Sequence, residues 1–181
     1  QEWDKQFRKG DVIQVSARAV SFKNSLQLSI LSLTPLDEAD VVLSDYLSTT
    51  RMNIEAMFGE LQSFIEGITT PPLKKLLKAF FDDRETAERF KRAPAAKALH
   101  HIYLGGPLEH THSVVRLLDQ VAAHYPGVNR DLLLAGEILH DIGKIEEFSY
   151  DRLVEYSDEG RLIGHIILGV EMIDEKIAAI P

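Results

Sequence analysis

Three histidines, one carboxylate and a lysine carry the chemistry this sequence can offer. His140 and Asp141 are adjacent in Glu137-Ile138-Leu139-His140-Asp141-Ile142-Gly143-Lys144, and the segment from Leu132 to Ile142 is almost wholly apolar. A carboxylate in that setting costs several kcal/mol, on the order of the penalty for a buried unpaired charge, unless a cation or several donors reach it. A divalent first-row metal held by His110, His140 and Asp141 would remove the penalty, since neutral imidazole and hard carboxylate suit such an ion. The structural alternative stays open for the pair taken alone: Asp141 capping a neighbouring loop, His140 hydrogen-bonded in the core. Lys144 follows His140 by four residues and brings an ammonium to the same pocket, while Gly143 offers a helix stop. His165 opens a later helix, at the edge of its apolar face. Asp174 lies on that same helix, too near His165 to complete a ligand set.

The elements that must position these groups are helical. Val114, Leu117, Leu118, Val121, Ala122 and Tyr125 recur at helical spacing and define the buried face of a helix from about 109 to 125. His110 falls on that face, whereas His112 is rotated about 200° from it and is expected to look toward solvent. His124 shares the face but lies about 21 Å along the axis, out of reach of the same site. The segment 132–142 reads as a central helix buried on most sides, and Ile166, Ile167, Val170, Ile173 and Ile177 are expected to face the core from the helix that His165 opens. Further helices are expected near 40–47, 51–66, 72–81, 84–92 and 94–100, with breaks at Thr69-Thr70-Pro71-Pro72 and Gly105-Gly106-Pro107.

The N-terminal stretch differs. Ile13, Val15, Ala17 and Ala19 alternate with other residues, as do Leu26, Leu28 and Ile30, so both segments read as strands. Phe22-Lys23-Asn24-Ser25 between them supplies hairpin chemistry, with Asn24 suited to a left-handed conformation. A lone hairpin is not stable, which points to a β domain whose earlier strands precede Gln1 or to packing on the helical body. The first residue is Gln1 rather than Met, and the chain is read as starting inside a longer protein.

Composition narrows the class. With 181 residues, 45% hydrophobic and 27% charged, the chain reads as one main globular, soluble domain with a small appendage. No apolar run approaches the roughly 20 residues of a membrane span. Zero cysteines exclude disulfides and thiolate ligands, and nothing points to secretion, so a cytoplasmic location is expected. The net charge of −8 argues against a general nucleic-acid binder. Residues 71–104 nevertheless carry eight bases against four acids. That excess suits an anionic substrate as well as it suits a solvated helix face.

The string His140-Asp141-Ile142-Gly143-Lys144, with His110 upstream on its own helix, resembles the signature of the HD superfamily of metal-dependent phosphohydrolases. A closer resemblance is carried by Ala93-Pro94-Ala95-Ala96-Lys97, by His100-His101-Ile102-Tyr103-Leu104-Gly105-Gly106-Pro107-Leu108-Glu109-His110-Thr111, and by Asn129-Arg130-Asp131-Leu132-Leu133-Leu134-Ala135-Gly136. These segments look like the YhaM-type 3′-to-5′ exoribonucleases, which join an OB-fold to an HD domain. Lys9-Gly10-Asp11-Val12-Ile13 and Leu26-Gln27-Leu28-Ser29-Ile30 look like late strands of that OB-fold.

The resemblance implies a mainly α fold: an HD helical bundle over 71–181, a helical spacer over 37–70 and a β-hairpin remnant of an OB-fold over 1–36, both end domains being incomplete. It implies release of nucleoside 5′-monophosphates from the 3′ end of single-stranded RNA, with one or two divalent ions, Mn²⁺ being expected. His110, His140, Asp141 and His165 would bind metal, with Asp141 bridging two ions about 3.5 to 4 Å apart in a two-metal site. Lys144 would neutralise a substrate phosphate or the developing oxyanion, and His101 and Tyr103 would contact substrate. Arg18, Phe22 and Lys23 would guide the strand by stacking and backbone charge. The implied pattern also calls for a later His and a closing Asp, which this chain does not supply after His165, and for an apolar residue where His112 stands. The same motif serves nucleotide or cyclic-dinucleotide phosphohydrolases, and the short ligand set also fits a non-catalytic nucleic-acid or nucleotide-binding module. A homo-oligomer is compatible with either.

Overall fold

The computed structural model describes residues 3–8, 10–37, 41, 48–94, 103–149 and 154–180. The chain divides into two compact units, Gln1–Tyr46 and Leu47–Pro181. Helices expected near 40–47 and 94–100 lie essentially outside the described residues, as do His100 and His101.

In the first unit, β1 (Ile13–Phe22) and β2 (Ser25–Pro35) form an antiparallel hairpin. The turn is made by Lys23 and Asn24, both at positive φ (49° and 60°), the conformation that matches the twist of the flanking strands. Register runs from Phe22↔Ser25 to Ala17↔Ile30, shifts at a bulge between Ser16 and Ala17, and resumes at Ser16↔Ser32. Period-two alternation therefore puts Ala17, Ala19, Leu28 and Ile30 on one face, and Arg18, Val20, Phe22 and Ser29 on the other.

The second unit is helical. Asn53 caps α1 (Ile54–Glu66) through its side chain to the Ala56 N–H, Pro71 opens α2 (Pro71–Phe81), and Asp83 caps α3 (Arg84–Arg92). Gly105 precedes α4 (Gly106–His124) at φ 84°, where a Cβ would meet Thr50 Cγ2 at 2.9 Å, so only glycine fits. Asn129 caps α5 (Arg130–Leu139). A short α6 (Lys144–Glu147) then leads to a small hairpin, β3 (Phe148–Ser149) and β4 (Glu155–Tyr156). Ser157 caps α7 (Asp158–Leu162), and α8 (Gly164–Ala179) ends the described chain. Leu61, Leu77, Phe80, Phe90, Leu108, Val115, Leu134, Ile138, Ile142 and Ile145 form the centre of the core. Among the described residues no helix is long and apolar enough to cross a membrane.

Several expectations are corrected. The 37–70 stretch is not a spacer throughout, because α1 buries Met57, Phe58, Leu61 and Ile65 in the same core as the later helices. On α4 the inward residues are Leu108, Thr111, His112, Val115 and Ala122, while Leu117 is 59% exposed and Tyr125 is exposed with it. The helix is covered from two sides, by α1 and by α5, so a single apolar stripe misphased it. His112 is only 5% exposed, and its Nε2 lies 2.8 Å from Glu60 Oε2 on α1, a partner that offsets its burial. The run from Leu132 does not stay helical through Asp141, since α5 ends at Leu139, and Leu132 and Gly136 are exposed.

On α8 the inward residues are Leu168 and Gly169, with Met172 and Ile173 packed against the core; Ile166 is 67% exposed, and Ile167, Val170 and Ile177 are exposed too. Close backbone approach at Gly143 and Gly169 sets this rotation. The basic excess of 71–104 is largely absorbed by ion pairs: Lys74 and Lys78 with Glu66, Arg89 with Glu146, Lys91 with Glu55 and Glu88. That favours the solvated helix face for Lys74, Lys78 and Arg89, whereas Lys91 is buried.

Candidate metal centre

His110 stands one turn into α4 and His140 at the C-cap of α5, with ring centroids 5.4 Å apart. Glu137, one turn before His140, completes a trio: one ligand atom from each of His110, Glu137 and His140 lies within 4.8 Å of the others. His140 Nδ1 is fixed 2.7 Å from the Glu137 carbonyl, and its Nε2 lies 3.1 Å from Asp141 Oδ2. Asp141 in turn accepts a hydrogen bond from Lys144 Nζ at 2.7 Å, and its Oδ1 lies 3.5 Å from His165 Nε2 at the start of α8. Two groupings thus meet at His140: His110 with Glu137, and Asp141 with Lys144 and His165.

The electrostatics follow from burial. Desolvation pushes the Asp141 carboxyl upward, but hydrogen bonds from His140 and Lys144 outweigh it and hold the group well below the usual carboxylate range. The reciprocal bond to Asp141 raises the His140 imidazolium to about 9. Glu137 is pushed up by burial and by the Asp141 charge, against the opposing pull of His140. Its Oε1 is buried and has no hydrogen-bond partner among the described residues. An orphaned carboxylate oxygen beside two imidazoles is the donor set that a divalent cation satisfies, so the residues fit a metal.

His110, His140, Asp141, Lys144 and His165 are therefore neighbours. Glu137 and Glu147 belong to the same cluster and were not singled out in the sequence. The signal for Glu137 was present: it sits three residues before His140 in an apolar run, where the argument applied to Asp141 applies equally. Lys144 pairs with Asp141 at three residues rather than with His140 at four. Gly143 is not a left-handed helix stop, having φ −63°. Tyr103 is placed by Glu109, and burial together with that bond pushes its hydroxyl up to about 12. Arg18, Phe22 and Lys23 belong to the hairpin unit; all three are exposed, with Lys23 Nζ 5.4 Å from the Phe22 ring centroid.

Residues 108–180 match the HD domain family. Among curated proteins, the chain is 36% identical over 165 residues to "3'-5' exoribonuclease YhaM" of Oceanobacillus iheyensis, covering 90% of this chain and 51% of that protein. It is 33% identical over 156 residues to the protein of the same name from Geobacillus sp. strain WCH70, covering 86% and 48%. A third, from Listeria monocytogenes, is 34% identical over 168 residues, covering 92% and 53%. The chain spans about half the length of the curated relatives it matches. No solved structure matches it.

Proposed function

We propose that the chain is part of a YhaM-type HD-domain protein, and that the full-length protein is a metal-dependent 3′-to-5′ exoribonuclease acting on single-stranded RNA in the cytoplasm and releasing nucleoside 5′-monophosphates. The observation that carries this reading is the trio of His110, Glu137 and His140, with a buried Glu137 oxygen that has no hydrogen-bond partner among the described residues, meeting at His140 the neighbouring pair of Asp141 and His165.

His110, His140, Asp141 and His165 hold divalent metal, Mn²⁺ by preference, and Glu137 joins them as a further oxygen donor. Bound metal lowers the pKa of a water toward neutrality and polarises a phosphoryl oxygen. Asp141 holds Lys144 in place, so that the ammonium meets the substrate phosphate. Tyr103 keeps its proton at neutral pH, donated to Glu109, and its oxygen can accept a hydrogen bond from the substrate; His101 is a further substrate contact. The hairpin presents Phe22 for base stacking, with Lys23 and Arg18 for the backbone. Its opposite face, carrying Ala17, Ala19, Leu28 and Ile30, has the apolar character of the inside of a larger barrel, which supports the reading as part of an OB-fold.

Asp141→Ala in the full-length protein tests the proposal. Hydrolysis of single-stranded RNA is expected to fall below detection and metal content to drop, with the circular dichroism spectrum unchanged. Normal metal content together with normal turnover would overturn the assignment.

A further inference from the structure

Glu147 is buried at the end of α6, 7% exposed, and none of the chemistry above uses it. Its Oε1 faces the first turn of α8. There it accepts from the His165 backbone N–H at 3.1 Å and lies 2.9 Å from His165 Nδ1. An oxygen already accepting from a backbone N–H is a hydrogen-bond acceptor toward the ring as well, so Nδ1 carries the proton. The other ring nitrogen, Nε2, is the one 3.5 Å from Asp141 Oδ1.

The backbone that carries Glu147 is itself held from behind. Ser157 donates its backbone N–H to the Glu147 carbonyl at 3.0 Å and its hydroxyl to the Glu146 carbonyl at 2.8 Å, while the same hydroxyl caps α7 at the Gly160 N–H. The order of contacts is thus Ser157, the α6 terminus with Glu147, His165, Asp141. Free histidine in its neutral form favours a proton on Nε2, the wrong nitrogen for a ligand pointing at Asp141. A carboxylate on Nδ1 reverses that preference and fixes the ring plane, the arrangement by which outer carboxylates orient metal-bound histidines.

We propose that Glu147 is a positioning residue: it locks His165 in the Nδ1–H tautomer and so presents the Nε2 lone pair to the metal site. The proposal rests on the reading of His165 as a ligand, but the tautomer can be measured without metal. In the metal-free full-length protein, at a pH where the ring is neutral, imidazole ¹⁵N shifts are expected to report Nδ1–H at His165. Glu147→Gln, whose amide oxygen still accepts, keeps that tautomer and binds Mn²⁺ within about threefold of the unmodified protein. Glu147→Ala loses it, and Mn²⁺ affinity by calorimetry falls roughly 10- to 100-fold, the range seen when such outer partners are removed.

An Nε2–H tautomer in the unmodified protein would overturn the proposal, and that measurement needs no variant to fold. So would a folded Glu147→Ala protein with unaltered tautomer and Mn²⁺ affinity. His165→Ala separates the two ideas: unchanged Mn²⁺ affinity there, with the Nδ1–H tautomer seen in the unmodified protein, refutes His165 as a ligand and the positioning role with it.

Discussion

Asp131 ties the helical unit together at a distance from the metal centre, and its replacement has a calculable cost. Its Oδ2 accepts from the backbone N–H groups of Thr69 and Thr70, at 2.9 and 2.7 Å, and from both threonine hydroxyls, at 2.8 Å each. The carboxylate sits in the first turn of α5 and closes the N-terminus of α2, joining elements 62 residues apart. Hydrogen bonds from Thr69 overcome the opposing effect of burial, and those from Thr70 add to them, holding the carboxyl at about 2, against 3.8 for the free side chain. A depression of that size corresponds to about 2 kcal/mol favouring the ionised folded state.

Asp131→Ala also strands two N–H groups that cannot rotate away, so about 3 kcal/mol of destabilisation is expected, with a fall in Tm of roughly 6 to 12 °C. Asp131→Asn keeps an acceptor and is expected to lose about half of that. The pH dependence has a definite sign. The folded value is depressed, so the ionic contribution is fully present above the unfolded value near 4 and is lost as pH falls through about 2. Urea unfolding at pH 7 and pH 3 should show the gap between the unmodified protein and Asp131→Asn shrinking by about 1 kcal/mol at the lower pH. A gap that stays constant or widens toward pH 3, or an Asp131→Ala cost below about 1 kcal/mol, would refute the reasoning.

His112→Ala should lower stability by about 1 to 3 kcal/mol, because it removes a buried ring and its link to Glu60, yet leave Mn²⁺ affinity unchanged; equilibrium unfolding and calorimetry on one preparation check both. Combined Phe22→Ala and Arg18→Ala should weaken single-stranded RNA binding by the full-length protein by at least tenfold while cleavage of a dinucleotide stays within about twofold, since one lost base stack is worth roughly 1 to 3 kcal/mol. Equal loss on both substrates would remove the hairpin from the strand's path.

Much of the site was legible because its residues break their local pattern. His140 and Asp141 end an apolar helix, and His110 and His165 open the helices that face them. Helices α1 to α3 were readable from local sequence, with the break at Thr69-Thr70-Pro71-Pro72 separating the first two. What escaped was tertiary. The phase of α4 depends on which neighbours cover it, and the clasp at Asp131 depends on threonines 62 and 61 residues away. Glu147 is indistinguishable from Glu146 in sequence, yet one turns inward to His165 and the other outward to Arg89. The rotation of α8 was missed for a related reason: its isoleucines are more apolar than Gly169, but Gly169 is where the backbone can come close.

The segment from His140 to Lys144 works as a set of directions rather than as a list of donors. Successive i to i+3 bonds, from Ile142 N–H to the Leu139 carbonyl at 3.1 Å and from Lys144 N–H to the Asp141 carbonyl at 3.0 Å, tighten the chain where α5 ends. In such turns residues three apart eclipse, which is why Lys144 stands over Asp141. Ile142 is then thrown into the core, fully buried, and Gly143 is left facing α8. A Cβ on Gly143 would lie 2.0 Å from the His165 carbonyl oxygen and 2.5 Å from the Gly169 nitrogen, both backbone atoms that cannot swing aside. Gly143→Ala must therefore push the start of α8 outward, and His165 with it, away from Asp141 and Glu147. The expected result is a folded but less stable protein, since His110, Glu137 and His140 are untouched, with Mn²⁺ affinity reduced to the level of His165→Ala. The double variant should be no weaker in Mn²⁺ binding than either single one, because both remove the same ligand. Additive losses would show that Gly143 serves the site by some route other than the placement of His165.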